Sequence, residues 1–201
     1  MKKKQRLVKN DMGSTHFHCY CLVNSRKFSN IDNDIFFEIE ENNGYDGKKL
    51  DFRIESKSPK NNEIQIIFVL ATSPMAEKSQ TIGYLSPIDG TVWSFEQKKR
   101  CMLSAEATNG TVLKSVYPVN ERKTFMKWFE ELPYGTVHYH PFVFGRHAVI
   151  LSFRFHLCEG ESGRGTILLF EQEYEENQYS KKDLRESVSK MFVGEILRIP
   201  R

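Results

Sequence analysis

Pairs of histidine and cysteine residues are the part of this sequence whose spacing could support chemistry. Two residues separated by one position lie on the same face of a β-strand, so each pair could direct two nitrogen or sulfur atoms to one point. The pairs are His16 with His18, His138 with His140, and His156 with Cys158. Two pairs brought together would supply the three or four ligands that zinc takes. A zinc-dependent enzyme is therefore one hypothesis, although strand histidines are more often satisfied by hydrogen bonds.

Other catalytic patterns are missing from the sequence. It contains neither a Gly-x-Ser-x-Gly motif nor a phosphate-binding loop. Glu130 and Glu131 are adjacent on a predicted helix, where their side chains diverge. Cys19 and Cys21 could form a redox pair, which leaves a redox enzyme as an alternative, but buried cysteines usually serve as small hydrophobic residues. We therefore expect a protein without catalytic residues, and the sequence implies no cofactor.

The composition is that of a folded chain with a short basic start. Of the 201 residues, 39% are hydrophobic and 12% are aromatic, and the net charge is only +3. Residues 1–12 are expected to form a disordered tail, in which Lys2, Lys3, Lys4 and Arg6 could contact nucleic-acid phosphates. No apolar run reaches the roughly 20 residues of a membrane span, and no signal peptide follows the basic start. Four cysteines are too few for a disulfide scaffold, so we expect a cytoplasmic protein that does not contact membranes.

The elements that would position these residues are a mixture of strands and helices. Alternating or continuous apolar residues predict strands over 50–55, 64–70, 148–157 and 166–170. The polar loops between them predict two antiparallel hairpins, one joining the first two strands and one joining the last two.

Three helices are predicted between and after these strands. The spacing of Phe125, Trp128, Phe129 and Leu132 predicts an amphipathic helix over 120–132. A short helix is predicted to start at Asp89, a residue type favoured at helix N-termini, and a final helix after Ser180. The sequence therefore predicts an α+β fold with a mainly antiparallel central sheet flanked by helices.

From residue 50 to 197 this order of elements resembles a GAF domain, a small-ligand sensor with an antiparallel sheet flanked by helices. The resemblance is carried by four parts of the chain, which are the strand at 64–73, the segment 89–103, the strands at 149–155 and 165–170, and the helix start at 179–184. It divides the chain into a tail over 1–12, a strand-rich addition or divergent start over 13–49, and a GAF-like domain over 50–201.

A GAF-like fold implies a pocket between the sheet and the connection around residues 84–145, and a small-molecule ligand. The residues that would line it combine aromatic walls with polar anchors, and they are Tyr84, Trp93, His138, His140, Phe142 and Arg146. The resemblance also implies a homodimer and a signal passed through the terminal helix, whose apolar stripe would be Leu184, Val188, Met191 and Phe192. We thus expect a small-molecule sensor. The alternative is a degenerate GAF-fold module that binds a protein partner or nucleic acid.

Overall fold

The fold is built from β-strands. The computed structural model describes residues 9–12, 15–23, 26–27, 35–43, 47–71, 81–95, 99–119 and 140–173. The strands are β1 (Lys9–Met12), β2 (Thr15–Val23), β3 (Arg26–Lys27), β4 (Ile35–Asn43), β5 (Lys48–Ser56), β6 (Asn62–Ala71), β7 (Ile82–Leu85), β8 (Val92–Phe95), β9 (Lys99–Thr108), β10 (Thr111–Pro118), β11 (Phe142–Phe144), β12 (His147–Leu157) and β13 (Ser162–Glu173). Within these ranges every regular element is a strand, and no helix long and apolar enough to cross a membrane is found.

The strands belong to two antiparallel sheets that pack face to face. The six-stranded sheet has the order β1-β2-β6-β12-β10, with β3 paired to β2. The seven-stranded sheet has the order β11-β7-β8-β9-β13-β5-β4. The predicted α+β fold is therefore wrong, because a second sheet, rather than a layer of helices, buries the apolar face of each sheet in the described part of the chain.

The helices predicted over 120–132 and after Ser180 lie outside the described residues. So do His138 of the predicted pocket and the four residues of the predicted dimer stripe, Leu184, Val188, Met191 and Phe192.

The short helix predicted from Asp89 is also wrong. Asp89 lies in a turn, where its Oδ1 accepts a hydrogen bond from the Thr91 N–H at 2.9 Å and the Gly90 N–H bonds the Ser86 carbonyl at 3.0 Å. Gly90 has a φ of 64°, a left-handed conformation that ends the turn and returns the chain as β8. The β-branched and aromatic residues that follow alternate between the two faces of the sheet, as a strand requires.

Both predicted hairpins are wrong, although their four strands exist. β5 pairs with β4 and β13, whereas β6 pairs with β2 and β12. The connections at 57–61 and 158–161 each cross from one sheet to the other. They lie side by side, since the Ser56 N–H bonds the Glu161 carbonyl at 3.1 Å and the Gly160 N–H bonds the Ser56 carbonyl at 2.8 Å. Because each connection crosses between the sheets, the two strands that it joins lie in opposite sheets. Their apolar faces then point towards each other and form the core.

An aromatic cluster fills the space between the sheets. Phe52 of the seven-stranded sheet packs against Phe68 and Phe153 of the six-stranded sheet, with ring centroids 5.1 and 4.8 Å away. Gly165 makes room for these rings, because a Cβ atom there would lie 2.2 Å from the Phe52 Cζ. The sheets approach closely here, so the core leaves no space for a ligand at this point.

The N-terminal part of the chain contributes strands to both sheets. Lys9–Met12, within the segment expected to be a tail, forms β1 and pairs with β2. In the region 13–49, β2 pairs with β6 and β4 pairs with β5. Strands before residue 50 therefore share both sheets with strands after it.

Candidate functional site

Aromatic side chains gather on the outer face of the seven-stranded sheet, near its β11 edge. Val92 and Val143 point inwards and belong to the core, so their strand neighbours point outwards. The strand register places Phe142 opposite Tyr84, and Tyr84 opposite Trp93. The next row places Phe144 opposite Ile82, and Ile82 opposite Phe95. We call the five aromatic residues of these two rows the aromatic surface, which comprises Tyr84, Trp93, Phe95, Phe142 and Phe144.

The rings of the aromatic surface differ in exposure. Phe144 is 62% exposed and Tyr84 only 4%, while Trp93, Phe95 and Phe142 are half-buried. Trp93 and Phe95 are nearly parallel, with an interplanar angle of 14° and centroids 6.1 Å apart. Phe142 and Phe144 meet edge to face at 4.6 Å. Phe144 of β11 and the pair Trp93 and Phe95 of β8 therefore reach solvent on either side of the buried Tyr84 of β7.

A cation borders the aromatic surface. Arg100 of β9 is the direct strand partner of Phe95 and therefore lies on the same face. Its Nε donates a hydrogen bond to the Gln172 Oε1 at 2.8 Å, and its Nη2 donates to the same oxygen. Both side chains are exposed. The guanidinium is consequently held in one place beside the rings.

The structure brings three of the predicted pocket residues together and separates two others from them. Tyr84, Trp93 and Phe142 occupy one row across β11, β7 and β8. The His140 ring instead contacts Tyr117 of the six-stranded sheet, with centroids 4.9 Å apart, and the backbone N–H of His140 donates a hydrogen bond to the Ser115 Oγ. Arg146 lies in the turn after β11, where its carbonyl accepts a hydrogen bond from Val119.

A buried serine–histidine pair lies inside the sandwich. The His147 Nε2 is 2.9 Å from the Ser94 Oγ, and its Nδ1 is 2.9 Å from the Gly145 carbonyl oxygen. A carbonyl can only accept, so Nδ1 carries the proton and Nε2 accepts the Ser94 hydroxyl. Burial lowers the pKa of His147, and the hydrogen bond to Gly145 opposes this only in part. The ring is therefore held neutral in a single tautomer.

This pair has the atoms of a catalytic dyad, but a substrate cannot reach it. His147 is fully buried and Ser94 is 4% exposed, so no substrate carbonyl can come within reach of the hydroxyl. Gly83 allows the ring to lie there, because a Cβ atom at this position would be 2.6 Å from the His147 Cδ2. The pair joins a strand of each sheet and has a structural role.

Sequence reasoning missed His147, the one histidine that is not part of a spaced pair. A signal was nevertheless present. His147 has the same strand parity as Val149, Leu151, Phe153 and Phe155, all of which point into the core. That parity predicts an inward, buried imidazole.

The other histidine and cysteine predictions do not assemble into a site in the described residues. Cys101 is buried, with its Sγ 3.8 Å from the Glu171 Oε1, while His156 and Cys158 are exposed near a strand end. No cluster of three or more His, Cys, Asp or Glu residues suited to a metal is found in this part of the chain. The zinc and redox alternatives therefore gain no support from geometry.

The fold and surface define a two-sheet antiparallel β-protein with an aromatic outer face. No protein-family model matches the chain, and no curated protein does. Among solved structures it is similar to a bacterial glucoamylase in complex with acarbose, with a TM-score of 0.35 and 13% sequence identity. That match covers 90% of this chain, which spans about a third (32%) of the glucoamylase chain.

Proposed function

We propose that this protein binds a small molecule on the aromatic surface and performs no chemistry on it. The observation that carries the proposal is the partly exposed group of Trp93, Phe95 and Phe144 on one face of a rigid sheet. Contiguous apolar groups that reach solvent often mark ligand-binding or interaction sites on protein surfaces. Each ring that stacks on a planar ligand contributes about 1–3 kcal/mol to binding.

The support for a binding protein rather than an enzyme is the burial of the reactive groups. The imidazole of His147, the Ser94 hydroxyl and the Cys101 thiol all lie inside the sandwich. The groups that reach solvent at the aromatic surface are rings, a guanidinium and an amide, which bind ligands well and make poor nucleophiles.

The sensor role expected from the sequence is kept as part of the proposal. It would require a homodimer and a signal through the terminal helix, and a ligand at the aromatic surface would be the event that is sensed. A cytoplasmic location is proposed as well, and it is supported by Cys19, Cys101 and Cys158, none of which is in a disulfide.

The experiment uses the two tryptophans of the chain, Trp93 and Trp128. In a Trp128→Phe protein, the fluorescence of Trp93 alone reports contact with a ligand. A library of planar and sugar-like metabolites is screened by fluorescence and by thermal shift, and we expect at least one compound to change both signals. A ligand at 100 times its Kd raises the free energy of unfolding by about 2.7 kcal/mol.

Two variants decide whether the ligand lies on the aromatic surface. Phe95→Ala and Phe144→Ala should each weaken binding of the compound about 5- to 100-fold, because each removes one stacking ring. Leu113→Ala is the matched control, since Leu113 is an exposed apolar residue on the other sheet. Binding that is unaffected by both phenylalanine variants, or a protein that responds to no compound, would refute the proposal.

A further inference from the structure

We infer that the ligand of the aromatic surface is a planar aromatic anion, whose ring stacks on Trp93 and Phe95 and whose phosphate or carboxylate group binds Arg100. This inference rests on the proposed function and adds the ligand's charge. The inferred ligand is a small molecule that carries one ring system and one anionic group.

The strand register places the two parts of the site at a distance that one small molecule can span. Arg100 is the direct strand partner of Phe95, so their Cβ atoms are about 4.5–5.5 Å apart. Trp93 is the diagonal neighbour of Arg100, about 7–8 Å away. A ring lying against Trp93 and Phe95 therefore has Arg100 at its side, within reach of a substituent on the ring.

The hydrogen bonds of Arg100 leave it able to bind an anion. A guanidinium has five N–H donors, and the Gln172 Oε1 takes two of them. The three remaining donors are two on Nη1 and one on Nη2, and one N–H from each of these nitrogens forms the fork that matches the two oxygens of a carboxylate or phosphate. Because Gln172 fixes the group in advance, less side-chain entropy is lost when the anion binds.

Arg100 forms no ion pair with any of the side chains that the structure describes. Among the described side chains, ion pairs join Lys49 to Asp51 and Arg53 to Glu55, and neither pair includes Arg100. Arg53 lies on the same outer face of the same sheet, and its guanidinium is 3.1 Å from a Glu55 carboxylate oxygen. The two arginines thus differ in their partner, a carboxylate in one case and a neutral amide in the other.

The size of the site favours a small molecule over a polymer. Tyr84 and Ile82, the outer-face residues of β7, are each only 4% exposed, so the accessible rings beside Arg100 are those of Trp93 and Phe95 on β8, one strand spacing or about 5 Å from β9. Along the strands they occupy two rows, about 7 Å apart. One ring system with its anionic group fills this area.

The test compares matched pairs of compounds on the Trp128→Phe protein, by calorimetry and Trp93 fluorescence. Adenosine monophosphate is compared with adenosine, and nicotinate with nicotinamide, so that each pair differs in one anionic group. We expect the anionic member of at least one pair to bind about 10- to 100-fold more tightly. The pair that shows the difference identifies phosphate or carboxylate as the group recognised.

The arginine variants carry the decisive comparison. Arg100→Gln should abolish the preference, so that the anionic compound and its neutral counterpart bind with equal affinity. Arg53→Gln is the matched control and should keep the preference. Equal binding of both members of each pair, or a preference that survives in Arg100→Gln, would overturn the inference.

The outcomes separate this inference from the proposed function. Binding that depends on Phe95, with the affinities for the anionic and the neutral compound both unchanged in the Arg100→Gln protein, overturns the inference and supports the proposed function. Binding that depends on neither residue overturns both. An eight-nucleotide single strand is included as a third probe, and tight binding of it without binding of the mononucleotide would overturn the small-molecule assignment in favour of a nucleic acid.

Discussion

The stability of this protein is expected to fall as the pH drops from 7.5 to 5, because His147 is buried in its neutral form. Burial lowers the pKa of His147 in the folded protein, whereas an unfolded histidine titrates near 6.5. Below about pH 6.5 the unfolded chain takes up a proton that the folded protein does not, so the unfolded state is favoured. The contribution of His147 to stability is fully present above the pKa of the unfolded histidine. It is lost as the pH falls towards the lower pKa of His147 in the folded protein.

The change in stability with pH has an upper limit, because His147 binds only one proton. A single group changes the free energy of unfolding by at most about 1.4 kcal/mol per pH unit. For a chain of this length, a loss of that size lowers the melting temperature by about 3–6 °C. The imidazole is fully buried, and both ring nitrogens have partners that suit the neutral tautomer, so we expect a slope of about half the upper limit at pH 6.5 that increases as the pH falls further.

Other groups with shifted pKa values act outside this pH window. The pKa values of Asp51 and Asp89 are lowered, since hydrogen bonds outweigh the effect of partial burial, so their contributions are lost only near pH 4 and below. Burial lowers the pKa of Lys114, which therefore acts at alkaline pH. Among the groups with shifted pKa values, only His147 is expected to change stability between pH 5 and 7.5.

The assay is urea unfolding at half-unit pH steps and constant ionic strength, followed by circular dichroism. His147→Gln should show a smaller slope over this range than the parent protein, because an amide does not titrate, whatever its effect on overall stability. His156→Gln changes an exposed histidine and should keep the slope of the parent protein. A flat profile in the parent, or an unchanged slope in His147→Gln, would show that His147 is not held neutral by the fold.

Two further predictions concern packing between the sheets. Ser94→Ala removes the hydroxyl that bonds the His147 Nε2 and should lower the free energy of unfolding by about 1–3 kcal/mol, measured by urea unfolding at pH 7.5. Gly165→Ala places a Cβ atom 2.2 Å from the Phe52 Cζ and should cost about 1–3 kcal/mol in the same assay. Ser104→Ala, on the outer face of β9, is the control for both and should change stability by less than about 0.5 kcal/mol. A loss no larger than that control in either variant would contradict the packing described.

The sequence by itself determined where several strands lie and which of their faces is apolar. Alternation in β5 and β12 fixed the inward residues, including Phe52 and Phe153, because neighbouring side chains of a strand point to opposite faces. Tyr84, Trp93 and Phe142 were grouped by the resemblance to a GAF domain and not by alternation. Alternation depends only on local geometry, which is why it can be recognised without knowledge of the fold.

Only the tertiary structure decided which strands pair and which sheet each one enters. A short polar connection such as 57–61 suits a hairpin and a crossing between sheets equally well, and the choice depends on whether a second apolar face is available to cover the first. The same holds for His147, whose partner Ser94 is 53 residues away in the sequence. It holds for Arg100 as well, since Gln172 comes beside it only through the pairing of β9 with β13. Contacts between distant segments depend on the packing of whole sheets, which local patterns do not encode.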